Sequence, residues 1–145
     1  MSESVRLDLA SLDQLETLYA TAPPAPLPRG IWRGHYLHEH PMAFGERAVA
    51  RAMFKWTRFG LDLDEHCWWL GHRSLRVARF RPRLARSRWR HTDVIRLDYR
   101  ETRPRRLRGV LYDELKPLAN GSILGLGGIN RTSPWFFFAL EPERE

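Results

Sequence analysis

Residues 107–129 read LRGVLYDELKPLANGSILGLGGI, two strand-like runs separated by a turn. The pair Asn120-Gly121 lies between the runs, and both residue types accept the positive φ angles that a tight hairpin turn requires. We therefore predict strands over Leu107–Lys116 and Ser122–Ile129 that pair as an antiparallel hairpin.

Further strand-like runs flank this hairpin, separated by turn signals such as Arg81-Pro82 and Arg103-Pro104. Six or seven strands joined by short turns predict an antiparallel sheet that is closed or nearly closed on itself, since closure removes exposed edges. The other predicted strands are Gly30–Leu37, a segment containing Leu75 and Val77, Arg86–His91, Ile95–Tyr99 and Pro134–Leu140.

Two helices are predicted, both within the first 60 residues. Leu9–Thr21 contains Ser11 and Gln14 at the spacing of a capping box. A second helix over about Phe44–Phe59 carries an apolar stripe that we expect to cover one mouth of the barrel. The stripe consists of Phe44, Ala48, Ala52 and Trp56. We predict a single domain, with the first helix and a proline-rich lead in residues 1–28 and the barrel in residues 29–141.

Composition limits the class of protein. The 145 residues are 43% hydrophobic and include six Trp, which is enough for a packed core and excludes a disordered chain. The N-terminal residues lack the basic and apolar regions of a secretory signal, and no apolar run approaches the roughly 20 residues of a membrane span. A single cysteine, Cys67, fits a reducing compartment. We expect a cytoplasmic protein without a membrane span.

The positive charge is concentrated in one segment. Arg73–Arg108 contains 14 Arg against three acidic residues, a local net charge of +11, whereas the remainder has 10 basic and 14 acidic residues, a net charge of −4. Such a segment is typical of a surface that binds nucleic acid or other phosphates. Solvated arginines on exposed strand faces are the competing interpretation.

The first predicted strand opens with Gly30-Ile31-Trp32-Arg33-Gly34, a G-x-W-x-G pattern. Small residues suit a strand that bends or meets a close neighbour at the start of a small barrel. The indole of Trp32 can plug the closed end of the barrel while its N–H donates to a backbone carbonyl.

Together with Val110–Pro117, Ser122–Gly125 and the run Phe136–Phe138, this pattern resembles the bacterial GXWXG-domain proteins with their companion C-terminal domain of unknown function. The resemblance covers roughly Leu15–Leu140. It implies a lipocalin-like, calycin-type barrel that holds a small apolar molecule in a family that is largely uncharacterised.

The main functional hypothesis is therefore a barrel that binds a small hydrophobic and possibly anionic ligand. Aromatic side chains would line or close the pocket, and an arginine would meet a polar head group, because guanidinium pairs with carboxylate or phosphate through two hydrogen bonds. The expected lining residues are Trp32, Tyr36, Trp56, Phe80, Trp89, Tyr99 and Tyr112, with Arg79 or Arg96 at the head group.

A barrel isomerase or cyclase is a further hypothesis, with Tyr99, Tyr112 and Glu114 as acid–base residues. If Tyr112 faces the interior, Glu114 does so as well and Asp113 faces the other side, because side chains alternate along a strand. The opposing interpretation pairs Asp113 and Glu114 with arginines on the outer surface.

Histidines raise the question of a metal or haem. His35, His38 and His40 lie within six residues of one another around Glu39, but they precede Pro41 in a loop-like segment that has no cysteine nearby. We predict no metal and no cofactor, with haem ligation by one histidine left open. Either a monomer or a homodimer is compatible with the sequence.

Overall fold

The computed structural model describes residues 6–99, 110–129 and 133–143. These residues form a mainly β structure with a helix near the N-terminus and a second helix after the first strand. The α-helices are α1 (Leu12–Thr21) and α2 (Phe44–Ala50), with a 3₁₀ helix (Leu7–Leu9) before α1 and a π-helical turn (Arg51–Lys55) after α2. The strands are β1 (Ile31–Glu39), β2 (Phe59–Asp62), β3 (Cys67–Leu70), β4 (His72–Arg79), β5 (Arg81–Arg86), β6 (Asp93–Asp98), β7 (Leu111–Pro117), β8 (Ile123–Ile129) and β9 (Pro134–Pro142).

The nine strands form one sheet in the order β4-β3-β2-β1-β9-β8-β7-β6-β5. Every neighbouring pair is antiparallel, and pairing of β1 with β9 joins the two ends of the chain, with Gly34 opposite Leu140. The sheet curls into a nearly closed barrel, so the predicted fold class is confirmed. None of the described helices is long and apolar enough to cross a bilayer.

β4 and β5 are the two halves of one bent segment. Eight antiparallel pairings separate them in the sheet, so the two strands run in the same direction. Only Phe80 lies between them, and Ala78 adopts φ 50° just before the bend. The chain therefore crosses from one edge of the sheet to the other. Among the described residues, β4 pairs with β3 alone and β5 with β6 alone, which leaves a seam between the two edges.

Two sequence predictions fail near this bend. Arg81-Pro82 is not a turn but the start of β5, where a proline is tolerated because the strand is at an edge. Arg86–His91 is not a strand: β5 ends at Arg86, and Ser87 accepts hydrogen bonds from the backbone N–H groups of Trp89 and Arg90. The hydroxyl of Ser87 thus holds this segment in a compact turn.

The sheet is covered on both faces. Inside the barrel, the rings of Phe59, Trp68, Phe136 and Phe138 pack against one another with centroids about 6 Å apart. On the outer face, α1 lies across β8 and β9, where Tyr19 meets Phe137 edge-on. The inner rings fill much of the interior, and the outer layer removes a second apolar surface from water.

The first helix has the predicted capping box and the predicted end at Thr21, but it begins at Leu12 instead of Leu9. Ser11 Oγ accepts a hydrogen bond from the N–H of Gln14, while Gln14 Oε1 accepts from the N–H of Ser11. The second helix is shorter than predicted, because it ends at Ala50 and continues as the π-helical turn. Phe54 from that turn contacts Phe59, Trp68 and Phe136, so the turn covers a mouth of the barrel. The expected stripe Phe44, Ala48, Ala52 and Trp56 does not perform this role and is exposed.

The β7–β8 hairpin is confirmed. Gly121 has φ 92°, Asn120 Oδ1 accepts from the N–H of Ser122, and Leu118 N–H donates to the carbonyl of Ser122. Strands β2 and β3 were not predicted, because each has four residues whose side chains are nearly all buried and show no apolar–polar alternation. The predicted strand start at Leu107 lies outside the described residues.

Candidate ligand site at the barrel seam

The inner face of the sheet opens to solvent beside β5. Leu84 pairs with Ile95, and Ile95 pairs with Leu115, so the three side chains lie in one row on the inner face. Leu84 is 67% exposed, Ile95 is half-buried and Leu115 is 0% exposed. An apolar path therefore leads from solvent at the seam into the core of the barrel.

On the β4 side of the seam, the exposure of apolar side chains also falls from the sheet edge toward the interior. Val77 on β4 pairs with Trp68 on β3; Val77 is partly exposed, and Trp68 is buried in the inner cluster. Leu75, two residues before Val77, is also exposed. Exposed large apolar side chains on both edge strands indicate a surface that is suited to an apolar molecule.

A chain of hydrogen bonds crosses the interior near the seam. Trp68 Nε1 donates to Tyr99 Oη at 2.5 Å, and Tyr99 Oη donates to Asp113 Oδ2 at 2.5 Å. The chain connects β3 with β7 across the barrel, and Phe80 packs edge-on against Tyr99 at a centroid distance of 6.1 Å. These polar groups are the fixed hydrogen-bonding elements of an otherwise apolar surface.

Asp113 is the unusual member of this chain. Burial raises the pKa of its carboxyl to about 7, helped by the charge of Glu114, while the hydrogen bond from Tyr99 acts in the opposite direction. Burial and the neighbouring Asp113 also raise the pKa of the Tyr99 hydroxyl. The other carboxyl oxygen, Oδ1, lies against Gly127, where a Cβ would collide with it. A carboxyl that titrates near neutral pH in an apolar surrounding is a group to expect at a functional site.

Four of the predicted lining residues belong to the interior. Trp32 Nε1 donates to the carbonyl of Arg29 at 2.9 Å, the type of backbone partner expected for it. Tyr36 stacks on Phe136 at 4.5 Å and donates to Glu39. Phe80 and Tyr99 are buried behind the seam.

The other five predicted lining residues lie elsewhere. Trp56 is on the surface, since the helix presents a different face to the barrel, and Arg79 is exposed at the end of β4. Trp89 and Arg96 lie against the ring of Tyr112 on the outer face, at 4.7 Å and 5.5 Å. The odd-numbered residues of β7 face inward, so Tyr112 faces outward.

Glu114 also faces outward, under α1, and is 0% exposed. Its carboxylate accepts hydrogen bonds from Tyr19 Oη (2.6 Å), Ser87 Oγ (2.7 Å), Arg88 N (2.8 Å) and Tyr112 Oη (2.5 Å). Burial and Glu114 raise the pKa of Tyr112 to about 12. Four donors leave this carboxylate little capacity for a substrate, and its contacts tie α1 and the Ser87 turn to the sheet.

The predicted alternation of side chains along β7 is therefore correct, but the faces are exchanged between the interior and the outer layer. Asp113 faces the interior, whereas Tyr112 and Glu114 face the covered outer layer, and within residues 6–99, 110–129 and 133–143 neither acid forms an ion pair with an arginine side chain at the outer surface. Trp68 is the site residue that the sequence prediction missed, and Asp113 is the one that it placed on the opposite face from the interior. The signal available was the strict alternation of β7, which fixes Asp113 and Leu115 on one face once Leu115 is known to be core.

The three histidines that are close in sequence contact different partners. His35 bonds Glu141, His38 bonds the carbonyl of Ala10, and His40 bonds Glu16. Across the described ranges, no group of three or more His, Cys, Asp or Glu is arranged to hold a metal ion.

Much of the basic segment is engaged within the molecule. Arg76 pairs with Asp62, and Arg90 forms two hydrogen bonds with Glu16. Arg83 and Arg86 approach Asp98 and Asp93 on the neighbouring strand. Of the three aromatic residues of this segment that could stack on bases, Phe80 and Tyr99 are buried, and Trp89 is half-buried against Tyr112. The part of this segment from residue 100 to 108 lies outside the described residues, and nucleic-acid binding stays a prediction.

No protein-family model, curated protein or solved structure matches this chain.

Proposed function

We propose that this barrel binds a small, largely apolar molecule at the seam, with one polar group of that molecule hydrogen-bonded to Asp113 or Tyr99. The observation that carries the proposal is the row Leu84, Ile95 and Leu115, whose exposure falls from 67% to 0% toward the core. Binding of a ligand that removes a continuous apolar surface of this kind from water is favourable in free energy.

The hydrogen-bond chain supports a preference for a ligand with a polar end. Because burial raises the pKa of the Asp113 carboxyl to about 7, this group offers either an O–H donor or a carboxylate acceptor in the neutral pH range. Arg79 and Arg81, both exposed, flank Phe80 at the bend, and Arg79 suits an anionic head group. The resemblance to GXWXG-domain proteins is part of the same proposal.

Two fluorescent probes test the site. Anilinonaphthalene sulfonate carries an aromatic body with an anionic group, and phenylnaphthylamine is its neutral counterpart. We expect both to bind the wild-type protein, and the anionic probe to bind more tightly. Leu84→Gln should weaken the binding of both probes at least about five-fold, a loss of about 1 kcal/mol. Arg79→Gln should weaken only the anionic probe.

Leu9→Gln is the matched control. Leu9 is 71% exposed on the 3₁₀ helix at the outer face, so its replacement costs no core packing and touches no seam residue. Equal loss of probe binding in Leu84→Gln and Leu9→Gln, or no binding to the wild-type protein, would refute the seam as a ligand site. Native mass spectrometry of freshly purified protein then identifies what it carries.

Proton transfer is the second candidate function, and the position of Asp113 beside Tyr99 favours it. A carboxyl with a pKa of about 7 exchanges a proton readily with a bound carbonyl compound at neutral pH. Exchange of carbon-bound hydrogen for deuterium in an enolisable cyclic ketone, followed by NMR, tests this activity. Asp113→Asn should abolish the exchange and leave probe binding intact, whereas exchange that survives the substitution excludes Asp113 as the base.

A further inference from the structure

The segment formed by α2 and the π-helical turn after it carries an apolar face toward solvent. Phe44 is 85% exposed and Trp56 is 70% exposed, and Val49 and Met53 are also exposed. Ala48 and Ala52 complete the same face. These six residues, called here the apolar helix face, form a concentration of exposed large side chains that a protein surface rarely leaves unpartnered.

The opposite face anchors the helix in this orientation. Ala50 is fully buried, and Phe54 packs edge-on against Phe59 at 5.2 Å. Arg51 forms two hydrogen bonds with Glu39 of β1, at 2.5 Å and 3.0 Å, and this contact lowers the pKa of the Glu39 carboxyl. The charged side chain of Arg51 thus contacts the barrel. The helix cannot rotate its apolar face inward without breaking these contacts.

Positive charge borders the apolar helix face. Lys55 is exposed next to Trp56, and the exposed Arg58, which pairs with Glu143 at 3.2 Å, follows two residues later. Arg58, His72 and Arg73 line one surface cavity of about 200 Å³ together with Trp69 and Glu143. The chain as a whole carries a net charge of +7. A helix with Trp and Phe on its apolar side and cations at the border has the composition of a segment that lies in a membrane interface.

We propose that the apolar helix face docks on the surface of an anionic lipid bilayer, with Phe44 and Trp56 inserted at the boundary between head groups and acyl chains. The charge decides for lipid over a second copy of this chain, because anionic head groups neutralise Lys55 and attract a chain with a net charge of +7, whereas Arg58 already pairs with Glu143. A two-fold contact through this face would bring the same cations of two copies together. The proposal is independent of ligand binding in the barrel.

Trp56 provides a built-in reporter. The chain has six Trp, and the other five are buried or half-buried, so a change of polarity at the surface acts on the emission of Trp56. We expect vesicles of phosphatidylcholine with roughly a third of phosphatidylglycerol to shift the emission to shorter wavelength, and vesicles of phosphatidylcholine alone to do so at least about ten-fold more weakly. Trp56→Phe should remove the shift while flotation with anionic vesicles persists.

Substitutions in the apolar helix face and the oligomeric state in solution test this proposal. Phe44→Ser combined with Trp56→Ser should reduce flotation at least about ten-fold, equivalent to about 1.4 kcal/mol. Leu9→Ser, an exposed leucine away from the apolar helix face, should leave flotation unchanged. The proposal is overturned if anionic vesicles do not bind, or if Leu9→Ser and the double variant lose binding equally. It is also overturned if light scattering shows a dimer that the double variant dissociates and vesicles do not bind.

Discussion

Asp113 and Glu114 are neighbours in sequence, yet their carboxyl groups lie on opposite faces of β7 and share no hydrogen-bond partner in the part of the chain that the structure describes. Asp113 accepts from Tyr99 inside the barrel, whereas Glu114 accepts from Tyr19, Ser87, Arg88 and Tyr112 under α1. The two acids therefore have different tasks. Glu114 is satisfied by four donors and belongs to the architecture, while Asp113 keeps a titratable group next to the seam.

The pKa of Asp113 predicts a specific dependence of stability on pH. Because its folded-state pKa of about 7 is above the value of an unfolded aspartic acid, the folded state holds a proton that the unfolded state releases. The contribution of Asp113 to the free energy of unfolding is fully present below about pH 4 and is lost as the pH rises through about 7. Asp113→Asn keeps a neutral group and should remove this loss.

Urea unfolding at a series of pH values measures the effect. We expect the stability of Asp113→Asn relative to wild type to increase by about 2 to 4 kcal/mol between pH 4 and pH 8. Tyr99→Phe removes the hydrogen bond that lowers the pKa of Asp113, so the midpoint for the Asp113 carboxyl carbon in NMR should move to higher pH. Parallel pH profiles for wild type and Asp113→Asn would contradict the buried titration.

Glu114→Gln should destabilise the fold by about 3 kcal/mol, because its new amide donor would face groups that now donate to the carboxylate, among them the N–H of Arg88, at a position with 0% exposure. Tyr112→Phe removes one of the four donors and should cost about 1 kcal/mol. Glu141→Gln is the control: this acid pairs with His35 at the surface, and its loss should change stability by less than about 0.5 kcal/mol. Equal effects of Glu114→Gln and Glu141→Gln in chemical denaturation would disprove the structural role of Glu114.

The second glycine of the G-x-W-x-G pattern provides a test of packing. A Cβ at Gly34 would collide with the buried ring of Phe59, so Gly34→Ala should lower the free energy of unfolding by about 2 kcal/mol. Gly45 in α2 has no atom near its Cβ position, and Gly45→Ala should raise stability by about 0.5 kcal/mol through helix propensity. Opposite signs in thermal unfolding are the expected result, and a neutral Gly34→Ala would show that the ring of Phe59 moves freely.

Cys67 predicts a slow thiol reaction. The residue is buried in β3, and burial with the neighbouring Asp62 raises the pKa of its thiol. A disulfide reagent such as dithionitrobenzoate should react with the native protein far more slowly than with the protein in urea, where one thiol per chain becomes available. Rapid reaction of the native protein would mean that the β3–β4 hairpin opens locally.

The sequence predicts the hairpin of β7 and β8 well, because Asn120-Gly121 carries a local requirement for positive φ. It does not predict which face of β7 is inside, because α1 buries the outer face as well. The even-numbered residues Tyr112, Glu114 and Lys116 are buried, so alternation of hydrophobicity is lost along the strand. Only the position of α1 on the folded sheet distinguishes the two faces.

The second helix shows a related limit. Its periodicity correctly groups Phe44, Ala48, Ala52 and Trp56 on one face, but a period carries no information about what covers that face. The anchor that orients the helix, Arg51 on Glu39, is a long-range ion pair between side chains that composition alone does not connect. The seam is equally hidden, because it depends on a bend at a single residue.

The seam also explains why arginines accumulate on β4 and β5. A strand edge with free N–H and C=O groups invites another molecule to extend the sheet, and such growth leads to fibres. Two copies that met edge to edge would oppose guanidinium groups, and Pro82 offers no N–H for a shared ladder. The arginines concerned are Arg73, Arg76, Arg79, Arg81, Arg83 and Arg86, of which Arg76, Arg83 and Arg86 also pair with Asp62, Asp98 and Asp93. Polyanions or high salt cancel this repulsion and should therefore cause the protein to precipitate.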